Sequence, residues 1–503
     1  MKCAPRSSTR AESAAPLALI VFLFLSFAAA AQEPLPRLEP SPEAFSRAVA
    51  GASDWRAALE LGLWASALAP GSTAPGTAAP DPGAAARNDS SRAAVAAAVS
   101  EIARTTAGMD ERAKGEAVLE YMHKRFLTSY VERQTRLDVL FSNGRFNCVS
   151  SAVLYLILGE AVGLRVSGVV TSDHAFCSVK VGVEDVDVET TSPYGFDPGG
   201  KKEFHDSFGR VTGFAYVPQR NYRDRSPIGG TELVALILSN RIADLDAAGR
   251  YADSVGLGVD RWVLQGGERS GSPKARDDLI VRLTNYGAFL VKTGREERAL
   301  QWAEAAVAAY GPDRRWTDFV SAAANNLLVM RLRAGRVEAA RAELERLRPA
   351  LAPAAARELD ALVGDAELVA AAERGDQAEI AAAVAAARAA KALPDRRIRE
   401  VEVYARMRAL EAVARAEGWA AAYAAAQAAV AELGTDPQLE NARRTYRANR
   451  IAELHNGFAR LYNSGAFAEA KERALAALAE FPDEQRFRSL ADTAEKARVQ
   501  SAR

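Results

Sequence analysis

From Thr231 to the C-terminus, glycine recurs at Gly249, Gly294, Gly335, Gly375, Gly418 and Gly465, at intervals of 45, 41, 40, 43 and 47 residues. Each glycine separates two stretches rich in Ala, Leu, Arg and Glu at helical period. No other feature constrains the fold as strongly. Glycine takes the left-handed conformation that closes one helix and lets the chain reverse into the next. The pattern therefore predicts successive helical hairpins over residues 227–503, all-α and almost free of strand signal. An asparagine lies nine residues before the glycine at Asn240, Asn285, Asn326 and Asn456, the mark of a degenerate internal repeat. A non-repetitive Ala-rich helical bundle is the alternative.

Two of these units carry more. Asn285-Tyr286-Gly287 through Gly294-Arg295-Glu296 to Ala305, closed by Pro312, resembles a tetratricopeptide repeat, and so does Asn456-Gly457 through Gly465 and Ala470 to Pro482. The resemblance implies stacked helical pairs, a TPR-like solenoid, whose concave surface holds a protein partner and supplies no chemistry.

The first half of the chain differs. Lys2, Arg6 and Arg10 precede an apolar run from Pro16 to Ala31, followed by Gln32 and Pro34. That order predicts a signal peptide over residues 1–31 and an exported protein, periplasmic or extracellular, with an uncleaved N-terminal membrane anchor as the alternative. No later segment is apolar enough to span a membrane. Residues 32–92 read as a short helical pattern from Pro42 to Leu68, then an Ala/Pro/Gly-rich flexible linker from Ala69 to Arg92. Residues 93–226 read as an α+β domain. Helical patterns run to Leu127, a turn falls at Asn143-Gly144, and a helical run spans Cys148 to Gly163. Strand-like segments follow at Val166–Thr171 and Ser178–Val188, then a loop from Ser192 to Gly200.

Lys plus Arg equals Asp plus Glu at 64 each, so no global basic field points to nucleic acid or an acidic membrane surface. Cys3 leaves with the signal, so Cys148 and Cys177 are the thiols of the mature chain. Two cysteines are no disulfide framework, although a Cys148–Cys177 bridge is possible in principle.

Nucleophilic cysteine chemistry needs a thiolate, a base and a group that orients the base. Cys148 follows Gly144-Arg145-Phe146-Asn147 and opens an apolar helical run. In a first helical turn, unpaired amides and the positive helix end favour a thiolate and a developing oxyanion. His174 lies at the entry of a strand running through Cys177 to Val181. In Asp185-Val186-Asp187-Val188-Glu189, alternation puts the three carboxylates on one face, within reach of an imidazole on the neighbouring strand.

Gly144 to Cys148, the helix ending Gly159-Glu160-Ala161-Val162-Gly163-Leu164-Arg165-Val166, and the His174 strand resemble the transglutaminase-like superfamily of papain-type Cys-His-Asp enzymes. The resemblance covers residues 93–225. It implies a papain-like α+β core and acyl chemistry on a protein or peptide substrate, as hydrolysis of a peptide or amide bond or as transfer to an amine. No cofactor is implied. Cys148 corresponds to the nucleophile and His174 to its base. Glu189-Thr190-Thr191, starting 15 residues beyond His174, falls at the family's Asp-x-Thr element, so Glu189 becomes the third member unless Asp187 takes that role by a two-residue shift. Phe176 stands where the family has tryptophan.

For the oxyanion, the Cys148 amide is the first donor and the Asn147 side chain a candidate second, while Asn143 beside Gly144 reads as turn chemistry. Tyr194 and Phe196, in the Ser192–Gly200 loop, are candidates for lining a substrate cleft. Cys177 reads as an inert small hydrophobe. His123, His205 and His455 are isolated, and no pair has zinc-ligand spacing, so no metal is expected. The rival functional reading is a transglutaminase-like binding module that keeps the fold without the activity.

Overall fold

The computed structural model describes residues 34–51, 54–67, 83–270 and 272–502, so the expected signal peptide lies outside the described residues. The chain is mostly helical, 74%, with 20 α-helices and two small sheets among those residues.

In chain order the first half comprises α1 (Pro42–Ala50), α2 (Trp55–Ala67), α3 (Ala84–Thr105), α4 (Glu111–Arg125), β1 (Ser129–Tyr130), α5 (Leu137–Asn143), β2 (Arg145–Phe146) and α6 (Cys148–Ala161). Then follow β3 (Val166–Val170), β4 (Ala175–Val181), β5 (Glu184–Val188), α7 (Lys202–Thr212) and β6 (Ser226–Ile228). The four longer-range strands form an antiparallel sheet in the order β5-β4-β3-β6, and β1 pairs with β2 in parallel.

Helix α6 organises this half. From Cys148 to Gly159 every residue is buried, as expected of a helix that is apolar all round and enclosed on all sides. It packs against β3 and β4 on one side and against α2, α4 and α8 (Gly230–Ala247) on others.

Two boundaries expected from the sequence move. Residues 84–92, expected as flexible linker, form the first turns of α3. Ala-rich sequence is a strong helix former once one face finds a partner, and here Ala84 and Ser91 are buried while Arg87 pairs with the buried Asp138 on α5. The packed core also extends beyond residues 93–226, because one hydrophobic cluster runs from Ala58 on α2 to Leu264 at the end of α9 (Tyr251–Leu264). The short N-terminal helical segment thus belongs to that core. Ahead of it, residues 34–41 strap across α9. Arg37 makes a two-pronged ion pair with Asp260 (2.8 and 3.0 Å), the Ser41 amide donates to the same carboxylate, and Leu35 and Leu38 pack on the next cluster.

Beyond α9 the chain forms α10 (Pro273–Lys292), α11 (Glu296–Tyr310), α12 (Arg314–Arg333), α13 (Val337–Leu347), α14 (Pro353–Arg374) and α15 (Gln377–Ala390). It ends in α16 (Asp395–Glu417), α17 (Trp419–Leu433), α18 (Pro437–Asn463), α19 (Phe467–Glu480) and α20 (Arg486–Ser501). All six recurring glycines have φ between 70° and 84° and sit at the turns of the hairpins from α8/α9 to α18/α19. The first helix of one pair also packs on the first helix of the next, α10 on α12, α12 on α14, α14 on α16 and α16 on α18, so the hairpins stack. Large aromatics such as Trp302 and Trp316 fill the early layers, and alanines such as Ala422, Ala426 and Ala429 the later ones.

Arg37→Ala leaves the buried Asp260 carboxylate with the Ser41 amide alone, which should cost about 2 kcal/mol. Limited proteolysis of this variant should cut first within residues 34–51. Unchanged resistance there would contradict the strap.

Candidate functional site

Cys148 is placed by its neighbour. Asn147 is extended (φ −132°, ψ −173°) and caps α6, its Oδ1 accepting from the Ser150 amide at 3.0 Å while Ser150 Oγ accepts from the Asn147 amide at 3.0 Å. This reciprocal capping box fixes where the helix begins. The amides of Cys148 and Val149, the first two of the helix, have no intrahelical acceptor. Cys148 is buried, with 8% exposure.

His174 closes the tight loop between β3 and β4, where its carbonyl accepts from the Thr171 amide (2.9 Å) and its amide donates to Thr171 Oγ1 (3.2 Å). The Cys177 thiol donates to the Ala152 carbonyl at 3.3 Å and locks β4 against α6. One helical turn back from Ala152 is Cys148, and three residues back from Cys177 is His174. The contact thus joins β4 to the helix that carries Cys148. Burial pushes the Cys177 thiol pKa up, which keeps it inert, and neither cysteine is in a disulfide.

Glu189 completes the set. Its Oε2 accepts from His174 Nε2 at 2.8 Å, and its Oε1 accepts from Thr191 Oγ1 (2.8 Å) and the Thr191 amide (3.3 Å). The carboxylate has no solvent exposure. Strand register explains the choice between the two candidate carboxylates. Cys177 lies opposite Val188 and Ser178 opposite Asp187, so Glu189 comes level with Phe176, two residues from His174, whereas Asp187 is four residues away. Asp187 is therefore not the third member. Arg225 takes it in two bonds of 2.7 and 2.8 Å, Tyr216 Oη donates to it at 2.6 Å, and Gln219 at 3.3 Å.

The turn that carries Glu189 is held from three sides. The Glu189 amide donates to the Gly195 carbonyl (2.8 Å), and a side chain at 195 would collide with the Glu189 carbonyl. Thr190 Oγ1 meets Ser151 Oγ of α6 at 2.8 Å, and its carbonyl accepts from His123 Nε2 of α4 at 3.1 Å. Burial lowers the His123 pKa to about 4, so this ring stays neutral and brings no competing charge.

Burial alone would lower the His174 pKa, but the Glu189 carboxylate and the Cys148 sulfur outweigh it and push it up to about 10. With Nε2 committed to Glu189, Nδ1 is buried and has no formed hydrogen bond among the described residues. The Cys148 sulfur is near enough to favour the imidazolium without the alignment of a closed bond. Phe176, Phe208 and Phe214 surround the ring at centroid distances of 6.1, 5.6 and 5.0 Å.

Two sequence expectations are corrected. Asn147 does not serve as an oxyanion donor, because Oδ1 caps α6 and Nδ2 donates to the Glu132 carbonyl at 2.9 Å. Phe196 does not line a cleft. It bridges to Val188 and is 2% exposed in the core, where it fills the space beside Gly115. Tyr194 is half-exposed at the turn, and the rings against His174 come from β4, α7 and the segment after α7. The sequence alone does not mark His123, which looks isolated in it, or the aromatics of α7. The Phe204/Phe208 spacing followed by Phe214 and Tyr216 was the available signal.

No family model, curated protein or solved structure matches this chain. What the site can do rests on its geometry: a thiol at a helix start, an imidazole held charged beside it, and a buried carboxylate that orients the imidazole.

The folded His174 pKa lies above the ordinary 6.5, so the pair's contribution to stability is full below about pH 6.5 and is lost as pH rises through about 10. Carbon-13 NMR of the His174 ring should show imidazolium at pH 8, and Glu189→Gln should lower its titration by about two pH units or more. A wild-type ring already neutral at pH 8 would contradict the assignment.

Proposed function

We propose that this chain is an exported transglutaminase-like cysteine enzyme, a peptidase, amidase or acyl transferase, whose TPR-like helical array binds a protein partner. The observation that carries the reading is the 2.8 Å His174–Glu189 pair, fully buried beside a cysteine in the first turn of α6. An uncompensated buried charge is costly, and a structural histidine gains little from being held ionised next to a thiol. Catalysis uses all three groups. In this reading the Cys148 thiolate attacks a carbonyl carbon, His174 gives its proton to the departing amine, and Glu189 fixes the ring and offsets its charge. Water or a second amine then resolves the thioester. No helix among the described residues is long and apolar enough to cross a membrane.

The low exposure of Cys148 favours a second reading, a binding module in which the same residues are inert. Thiol reactivity separates the two. In a Cys3→Ala, Cys177→Ala chain, which leaves Cys148 as the one thiol, iodoacetamide should alkylate Cys148 at pH 6.5 at a rate within a few-fold of that at pH 8.5. An ordinary thiol, with a pKa of about 8.5, is only about one per cent ionised at pH 6.5. His174→Ala should slow the reaction at pH 6.5 at least tenfold. Equal rates with and without His174 would sink the enzyme reading.

A further inference from the structure

The Tyr130 hydroxyl is buried and has no hydrogen-bond partner among the described residues. The side chain as a whole is half-buried, but an enclosed hydroxyl normally finds an acceptor, and leaving one without costs about 1–3 kcal/mol. Its position is set by backbone pairing. β1 runs parallel to β2 with Tyr130 level with Phe146, the Val131 amide donates to the Phe146 carbonyl at 2.8 Å, and the two rings meet edge to face at 5.8 Å. Asn147 is extended, so Phe146 and Cys148 fall on the same side of the chain. Tyr130 therefore stands on the Phe146 side of β2, directly ahead of the start of α6, and its hydroxyl feels the Cys148 sulfur. The Glu132 carbonyl, two residues on, holds the Asn147 side chain at 2.9 Å and fixes this segment alongside the start of α6.

We propose that Tyr130 is the second oxyanion donor of the site, together with the Cys148 amide. The proposal rests on the acyl-transfer reading above. When the Cys148 thiolate attacks, a C–S bond forms and the carbonyl π pair moves onto oxygen. Tyr130 donates a hydrogen bond to that oxygen and keeps its proton. As the pair returns, the C–N bond breaks and the His174 proton leaves on the amine. Burial, with the Cys148 sulfur and the Glu132 and Glu189 carboxylates adding to it, raises the Tyr130 pKa and keeps the phenol a donor through the neutral range. Its orphaned hydroxyl thus has an acceptor only once an oxyanion forms, which is what selective stabilisation of a transition state requires.

The test compares two reactions of Cys148 in the Cys3→Ala, Cys177→Ala chain. Iodoacetamide alkylation develops no oxyanion. Reversible addition of a small peptidyl aldehyde, acetyl-glycinal, does, and its Kd is read from protection against alkylation. Tyr130→Phe should alkylate within twofold of the parent, which also reports an intact site, and should bind the aldehyde at least tenfold more weakly. Site-specific 3-fluorotyrosine at 130, a more acidic donor, should bind it more tightly than tyrosine. Unchanged aldehyde affinity in Tyr130→Phe, or no aldehyde protection in a parent that alkylates rapidly, would overturn the proposal and leave the enzyme reading standing. A matching loss of alkylation would also overturn it, by placing Tyr130 on the thiolate instead. A parent that does not alkylate at pH 6.5 would remove the enzyme reading, and the proposal with it.

Discussion

The ion pair between His174 and Glu189 is the constraint around which the first half of the chain is arranged. Both side chains are buried, and taking two charges out of water is costly unless they pair and are hydrogen-bonded. Glu189 finds its hydrogen bonds in the turn that follows. Thr191 supplies two donors, Gly195 lets the backbone close behind the carboxylate, and Thr190 ties the turn to α6 and α4. His174 has one committed nitrogen and one buried nitrogen without a formed bond. The fold therefore carries an unspent donor beside a thiol, at a real cost to stability. Arrangements of that kind are concentrated at sites that do chemistry.

A glutamate works here because the turn holds it closely. β5 ends at Val188, and the turn from Glu189 to Gly195 closes on itself, the Glu189 amide donating to the Gly195 carbonyl and the Ser192 amide to the Glu189 carbonyl. Asp187 has a separate task, pinning the 216–225 segment to the sheet through Arg225 and Tyr216 and so holding the aromatic wall next to His174. The two carboxylates share a face of the strand, and their different partners are set by one step of register.

Features that depend on a few adjacent residues were legible in the sequence. The six hairpin glycines announced themselves because a positive φ is a local demand. Cys148 was readable at a helix start, and His174 at the mouth of a strand. Features that depend on distant packing were not. Nothing near Asn147 reveals that its side chain is consumed by a capping box and by the Glu132 carbonyl, and nothing near Phe196 reveals that it fills the space beside Gly115. Residues 84–92 look like linker by composition and become helix because Asp138, some 50 residues away, accepts Arg87. His123 and Tyr130 reach the site only through α4 and the β1–β2 pairing, and no spacing rule links them to Cys148.

Formation of a covalent acyl-enzyme tests the central claim most directly. The chain should be mixed with p-nitrophenyl acetate at pH 7 and its peptides mapped by mass spectrometry. We expect one acetyl group on Cys148, at least tenfold less of it in His174→Ala, and an intermediate loss in Glu189→Gln. Acetylation that ignores both substitutions, or that spreads over surface lysines and spares Cys148, would contradict the account.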